Sequence, residues 1–301
     1  MANNISVDIL FFKQVMPPPV NDLLPVPGAA LSMRTSDFLI RTAMITLRQL
    51  YRYPVKGLSA EPLDRVTLRA GEGLPLDRMY ALTNGSWDFD AGRYQPRPKT
   101  DFIALMDHPA LAALTTHVEE DARRLTVRTP DGGALDIDLD DAAACGRFAG
   151  FVARHLGARF EGPPAFVAGE GFRFTDVSVL SHGMMNTVSL INLATVRRIS
   201  EEWGVDIDPM RFRANLYIDG AEPWSEAGWL DRELSIGEVK LRAVMRTPRC
   251  AATGVNPLTA QRDMTIPATM MERYGHRDLG IYLEVVGDGV LRVGDTLDLA
   301  G

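Results

Sequence analysis

The chain has 301 residues, 46% of them hydrophobic and 24% charged, with a formal net charge of −7. That length supports one large domain or two medium ones with a sizeable core, and the mild acidic balance excludes a general nucleic-acid binder, whose footprint is basic. No apolar run approaches the ~20 residues of a membrane span, the start lacks the basic segment of a secretory signal, and two cysteines cannot build a disulfide framework, so a cytoplasmic protein is expected.

Residues 1–43, with "MPPPVNDLLPVPGAALS", are rich in proline and are expected to form an extension without a core of its own. From residue 44 the pattern turns β-rich. "MITLRQLYRYPV" and "RVTLRAGEG" alternate, and "RRLTVRTPDGGALDIDL" reads as two strands joined by a Pro-Asp-Gly-Gly turn. "DDAAACGRFAGFVARHLG" predicts a helix with an Asp start and a Gly stop, and Cys145 within it reads as a small buried hydrophobe. Glycine and proline cluster in "RFEGPPAFVAGEG", which places a domain boundary there and gives units at 44–160 and 161–301. In the second unit, "TVSLINLATVRRISEEWG" predicts a short strand running into a helix that stops at Gly204. "ANLYIDG" is a strand, and "ELSIGEVKLRAV" and "GVLRVGDTLDL" each predict two strands around a tight turn. The expected fold class is mainly β with some α: an N-terminal β-barrel-like unit followed by a second β-barrel with short helices.

The common catalytic signatures are missing: no G-x-x-x-x-G-K-[ST], H-E-x-x-H, C-x-x-C or G-x-S-x-G occurs. The histidines at 108, 117, 155, 182 and 276 have no metal-ligand spacing. What remains is a set of basic residues beside strand ends and turns: Lys56, Arg78, Arg93, Arg97, Lys99, Arg211, Arg213, Arg246 and Arg249. Gathered on one pocket, they would suit a planar, anionic, phosphate-bearing ligand, because guanidinium forks match phosphate oxygens in pairs. Cys250 lies among them in "RTPRCAATGVNPLT". Flanking guanidinium groups favour a thiolate, and a thiolate is either a nucleophile or a soft metal ligand. No histidine set accompanies it, so further metal donors would have to come from an organic cofactor.

Two stretches carry a resemblance. "LYRYPVKGLSAEPLDRVTLRAGEGLPLDRMYALTNG" resembles the N-terminal β-barrel of MOSC proteins. "RFRANLYIDGAEPWSEAGWLDRELSIGEVKLRAVMRTPRCAATGVNPLT" resembles the MOSC domain, through R-F-R-x-N, an acidic residue near a Trp, and R-C-x-x-T-x-[VI]-[DN]-P-x-T in that order. The likeness extends to the mitochondrial amidoxime-reducing components and their bacterial relatives. It implies a molybdenum cofactor with Cys250 as protein ligand to the metal, and two-electron reduction of small N-hydroxylated substrates. It further implies that Lys56, Arg78, Arg211, Arg213, Asn215 and Arg249 hold the cofactor and that Thr195 faces it.

The departures are Gly57 where relatives often have Ser, Pro248 in place of a Ser, Ala91-Gly92-Arg93 in place of Thr-x-Arg, and Asn256 in place of a common Asp. The chain has too few cysteines for the ferredoxin-type cluster of one bacterial subgroup, which needs four. It has no room for the pyridoxal-phosphate domain of the sulfurases. A reductase of this type would therefore draw on a separate ferredoxin-, flavin- or cytochrome-type electron donor. The alternatives are sulfur transfer through a Cys250 persulfide and cofactor carriage without catalysis.

Overall fold

The computed structural model describes residues 44–300 apart from 91, 93, 94, 120–122 and 170, so the proline-rich extension, Ala91 and Arg93 lie outside the described residues. The first half supplies β1 (Ile45–Arg52), β2 (Glu61–Pro62), β3 (Arg65–Leu68), β4 (Tyr80–Leu82), β5 (Thr115–Glu119), β6 (Arg124–Arg128), β7 (Ala134–Asp138) and helix α1 (Ala142–Leu156). The second half supplies β8 (Phe166–Ala168), α2 (His182–Met185), β9 (Val188–Asn192), α3 (Leu193–Trp203), β10 (Leu216–Asp219), β11 (Glu233–Ile236), β12 (Val239–Pro248), α4 (Ile266–Tyr274), β13 (Asp278–Gly287), β14 (Gly289–Arg292) and β15 (Thr296–Leu299).

Seven strands close a barrel in the order β10-β9-β13-β12-β11-β15-β1, with β1 pairing back onto β10. The alternation that predicts the strands is visible in its wall. Along β12, Val239, Leu241 and Ala243 are buried while Lys240 and Arg242 are exposed, the period of two that a half-buried strand requires. The barrel is filled by Leu47, Leu50, Leu190, Leu216, Leu241 and Leu283, among others. Within the barrel the parallel pair is β9 and β10, with α3 as the crossover between them. Every residue of β9 is buried, because one face meets the barrel core and the other meets the cluster of Val196, Ile199 and Ile207 beneath α3. Replacing Leu241 by Ala is expected to cost about 2–5 kcal/mol, the usual price of a core cavity, read as a fall in the urea midpoint.

The barrel draws strands from both sides of the glycine- and proline-rich stretch. Its strand β1 and the strand β3, which pairs with β14, both precede the glycine- and proline-rich stretch near residue 160. The rest of the first half builds a second core from the β5-β6-β7 meander and α1. The expected hairpin is present: Arg128 pairs with Ala134, and Gly132 takes a φ of +90° in the turn. Helix α1 starts where the Asp141 carboxylate accepts the Ala143 N–H at 2.8 Å and stops at Gly157, φ +58°. It buries Ala144, Phe148, Ala149 and Val152 on one stripe. Cys145 is half-buried beside that stripe rather than enclosed. Burial and the nearby Asp141 and Asp138 push its thiol up, which disfavours the thiolate.

Candidate functional site

Strand β12 ends at Pro248 and delivers Arg249 and Cys250 to the seam between the two cores. The Arg249 N–H donates to Arg277 O at 2.8 Å. Beyond the cysteine the chain turns through Ala251–Gly254, where Thr253 Oγ1 donates to Cys250 O at 2.9 Å. A side chain at Gly254 would meet Met264 O, so the turn needs a glycine there. Val255 then packs into the core of the first half, and Arg262 ties the loop across by donating to Ala251 O and to Met106 O. The half-buried thiol is thus held at the head of a loop clamped from both sides.

Cys250 opens onto a cavity of about 1070 Å³, at the upper end of ligand pockets. Lys56, Arg78, Arg211, Arg213, Asn215 and Arg249 line it with the cysteine. In all, eight Lys and Arg residues line it against two aspartates, Asp77 and Asp176, in a chain whose net charge is −7. Leu105, Met106, Val177, Leu180, Met264 and Pro267 also line it, so the pocket joins a cationic wall to an apolar one.

The cationic wall is organised around Asp77, which is 4% exposed. Its carboxylate accepts the Tyr53 N–H at 2.8 Å, Asn215 Nδ2 at 3.0 Å and Arg78 Nη1 at 2.6 Å. Arg78 also donates to Arg213 O at 2.8 Å, and Arg213 donates to Leu58 O at 2.6 Å. Both guanidinium groups lie 4.4 Å from the centre of the Tyr53 ring. Both residues adopt left-handed backbone, φ +50° and +52°, which non-glycine residues accept only where the surroundings impose it. Burial works against the charge of Arg78, but Asp77 outweighs it and holds the group above the ordinary arginine value. Burial pulls Arg213 and Arg249 below that value. For arginine this marks positive charge short of counter-charge, not loss of a proton.

Lys56 and Lys99 share Asp176, at 2.5 Å and 3.4 Å. Burial alone would raise the Asp176 carboxyl, yet the two ammonium groups hold it well below the usual carboxylate range. The Lys99 ammonium is raised although burial opposes it, by Asp176 and by the Cys250 sulfur. Arg211 donates Nη2 to Asp263 Oδ2 at 2.9 Å, and its Nη1 stands 2.8 Å from Oδ1 without lining up as a hydrogen bond. Three further buried polar atoms on this pocket lack a partner among the described residues: Arg211 Nε, Thr175 Oγ1 and Thr247 Oγ1. Buried polar atoms are seldom left so, and their clustering marks a place for a polar ligand.

Some expected residues lie elsewhere. Thr195 does not face this pocket. It is fully buried at the head of α3, where its hydroxyl donates to Glu226 at 2.8 Å and accepts the Trp224 N–H at 2.8 Å. Replacing it by Val is expected to cost about 1–3 kcal/mol through the unsatisfied groups left behind, seen in thermal melts, while the alkylation rate of Cys250 stays unchanged. Arg246 points to a separate cavity, and Arg97 pairs with Asp101 at 2.6 Å over the Trp87 ring. The pocket wall instead includes Thr187 and Ser189. Ser189 Oγ lies 2.9 Å from Asn215 Oδ1. The alternation of "TVSL" puts these two positions on one face.

Residues 44–164 match the family model of the MOSC N-terminal beta barrel domain, and residues 177–298 match that of the MOSC domain. The chain belongs to the MOSC family. The mitochondrial amidoxime-reducing component 1 of Homo sapiens is 23% identical over 290 residues, covering 85% of this chain and 83% of that protein. The mitochondrial amidoxime reducing component 2 of Homo sapiens is 33% identical over 124 residues, 37% of this chain, and the match spans about a third (35%) of that relative's length. A molybdenum cofactor sulfurase of Danio rerio is 36% identical over 74 residues, 24% of this chain and 9% of that protein. Among solved structures, the YuaD protein of Bacillus subtilis aligns with a TM-score of 0.41 and 13% identity over 84% of this chain and 94% of its own.

Two departures from the MOSC pattern have a physical reason here. Gly57 has a φ of +83°, and a Cβ there would crowd Ile103 O and Leu111 at 3.3 Å, so this backbone disfavours a serine. Asn256 donates Nδ2 to Asp263 at 2.7 Å. An aspartate there would set a second carboxylate against the one that pairs with Arg211. The structure gives no reason for Pro248.

Proposed function

We propose that this MOSC protein binds a molybdenum cofactor through Cys250 and catalyses two-electron reduction of small N-hydroxylated compounds. The observation that carries the reading is the cavity itself: one thiol facing a wall of eight cationic side chains and two aspartates, with partnerless buried donors and hydroxyls around it. Among the described residues no cluster of three or more His, Cys, Asp or Glu could hold a metal alone. Cys250 thus suits a metal whose remaining donors arrive with an anionic organic group. Lys56, Arg78 and Arg213 would hold the phosphate and the pterin edge. Asn215 and Ser189 would fix the wall behind them. Arg249, anchored to Leu279 O at 2.7 Å and Phe212 O at 2.9 Å, would fix the position of the neighbouring sulfur.

When bound, such a cofactor supplies two-electron redox chemistry, so that an N–O bond is cleaved with uptake of two protons and release of water. The chain's contribution is placement. Leu105, Met106 and Leu180 would cover the apolar body of the substrate and exclude water, and Lys99 keeps a proton on Nζ beside the sulfur. The electrons are assigned to a separate donor protein of ferredoxin, flavin or cytochrome type, with no part for nucleic acid. Among the described residues no helix is long and apolar enough to cross a membrane.

The test is metal content after expression in a host that makes the cofactor, alongside Cys250→Ala. Near-stoichiometric molybdenum, lost in the variant, is expected, followed by conversion of benzamidoxime by the chemically reduced wild-type protein. Equal molybdenum in both proteins would remove Cys250 as ligand. A loaded, reduced protein inert toward every N-hydroxylated compound offered would remove the reaction.

A further inference from the structure

On the other side of strand β12 lies a second cavity of about 340 Å³. Met245 and Thr247 face the Cys250 pocket, and Arg246 between them lines the smaller one. No residue lines both.

Three rings form its walls. Trp224 and Tyr274 meet edge to face at 5.3 Å, and His276 stands 5.9 Å from Trp224 and 6.2 Å from Tyr274. Each ring is fixed from behind. Trp224 adopts a φ of +68°, a strained value for such a residue, and is held there by the bond from its N–H to Thr195 Oγ1. Tyr274 Oη donates to Glu202 at 2.6 Å and accepts Trp203 Nε1 at 3.1 Å. His276 Nδ1 accepts the Asp278 N–H at 3.2 Å, which places the proton of the neutral ring on Nε2. Walls fixed in advance lower the ordering cost of binding a ring against them.

The polar groups have one conspicuous vacancy in their bonding. Arg246 Nη2 donates to Ala227 O at 3.2 Å, but its Nε is buried and finds no partner among the described residues. Glu226, 1% exposed, is already occupied by Thr195 and by Asn192 Nδ2 at 3.0 Å, and burial raises its carboxyl. Asp278 supplies an acceptor to the same cavity. We propose that this cavity is a second ligand site, for a small planar ring bearing a carboxamide group.

The ring lies against Trp224 and Tyr274, the amide oxygen accepts from the Arg246 guanidinium, and the amide N–H donates to Asp278. A carboxylate on the same ring would satisfy Arg246 but confront Asp278. An ammonium would satisfy Asp278 but confront Arg246 and leave its Nε unpaired. The volume stands at the lower end for ligand pockets, which limits the occupant to about one ring system.

Titration calorimetry of the full chain with benzamide, benzoate and benzylamine tests this without any turnover, so its outcome is separate from the cofactor reading. Benzamide is expected to bind in preference to both charged analogues. Arg246→Met is expected to weaken it by about tenfold, the loss of one buried hydrogen bond. Tyr274→Leu, which leaves Arg246 in place, is expected to weaken it as well, and melting curves identify any variant that fails to fold. The site is overturned if benzamide shows no saturable binding, if benzylamine binds best, or if folded Arg246→Met and Tyr274→Leu proteins bind benzamide as the wild type does.

Discussion

Replacing Asp77 by alanine is expected to remove about 3–5 kcal/mol of stability, the scale on which a buried ion pair fails when one partner is deleted. The carboxylate is the meeting point of Tyr53 N–H, Asn215 Nδ2 and Arg78 Nη1. Without it, two guanidinium groups remain on the Tyr53 ring with no counter-charge between them. Asn215 Nδ2 keeps, among the described residues, only its bond to Tyr51 O at 3.2 Å, and its Oδ1 is the group that accepts from Ser189 N–H at 3.1 Å. Local damage should therefore spread along β9. Urea unfolding of Asp77→Ala and Asp77→Asn separates charge from geometry. The asparagine keeps an acceptor for Tyr53 N–H and Asn215 but brings no charge and sets a donor against Arg78, so it should recover only the smaller share of the loss that those two hydrogen bonds carry. If both variants melt with the wild type, Asp77 is not the organiser of the wall.

Gly280→Ala is expected to cost about 2–5 kcal/mol, from left-handed strain on alanine together with overpacking. Gly280 has a φ of +79°, and an added Cβ would stand 2.3 Å from Leu190 O, 2.8 Å from Ile191 Cδ1 and 3.1 Å from Arg249 Nη2. The first contact is backbone of the neighbouring strand and cannot turn away. The third pushes on the residue before Cys250, so alkylation of the cysteine should change with stability. Gly157→Ala is the control: φ is +58° there too, but nothing lies within 4 Å of the added carbon. Only the backbone term of roughly 1 kcal/mol should remain. Equal losses at the two positions would mean that the close approach at Gly280 is relaxed at little cost.

Much of this architecture was legible before any coordinates, wherever the signal was local. Alternation located the strands of the "ELSIGEVKLRAV" hairpin, and the Asp and Gly ends bounded α1. The R-F-R-x-N and R-C stretches supplied Arg211, Arg213, Asn215, Arg249 and Cys250 of the large pocket's wall. What was not legible depends on distant pairing. Nothing local to "ITLRQLYR" says that it closes a barrel between β10 and β15. Thr195 was misplaced because a motif fixes neighbours in sequence but not the direction of a side chain on a helix. Its hydroxyl turns toward Glu226, while Thr187 and Ser189, one strand earlier, take the wall. Asp77 was overlooked beside Arg78 because a single aspartate carries no pattern. Lys99 was noticed as one of a basic group, but its partner Asp176 is 77 positions away.

The closing strand also imposes a timetable on synthesis. Ile45 pairs with Leu297, and Thr46 with Thr296, so a strand made near the beginning must wait for the last one. At ribosomal rates of about 5–20 residues per second, that interval is roughly 10–50 s. During it the hydrogen-bonding edge of β1 is a template for any passing strand. The arrangement makes assembly a late, all-at-once event of high contact order. It also means that the C-terminal region produced alone would lack a stave, leaving β10 and β15 as two open edges.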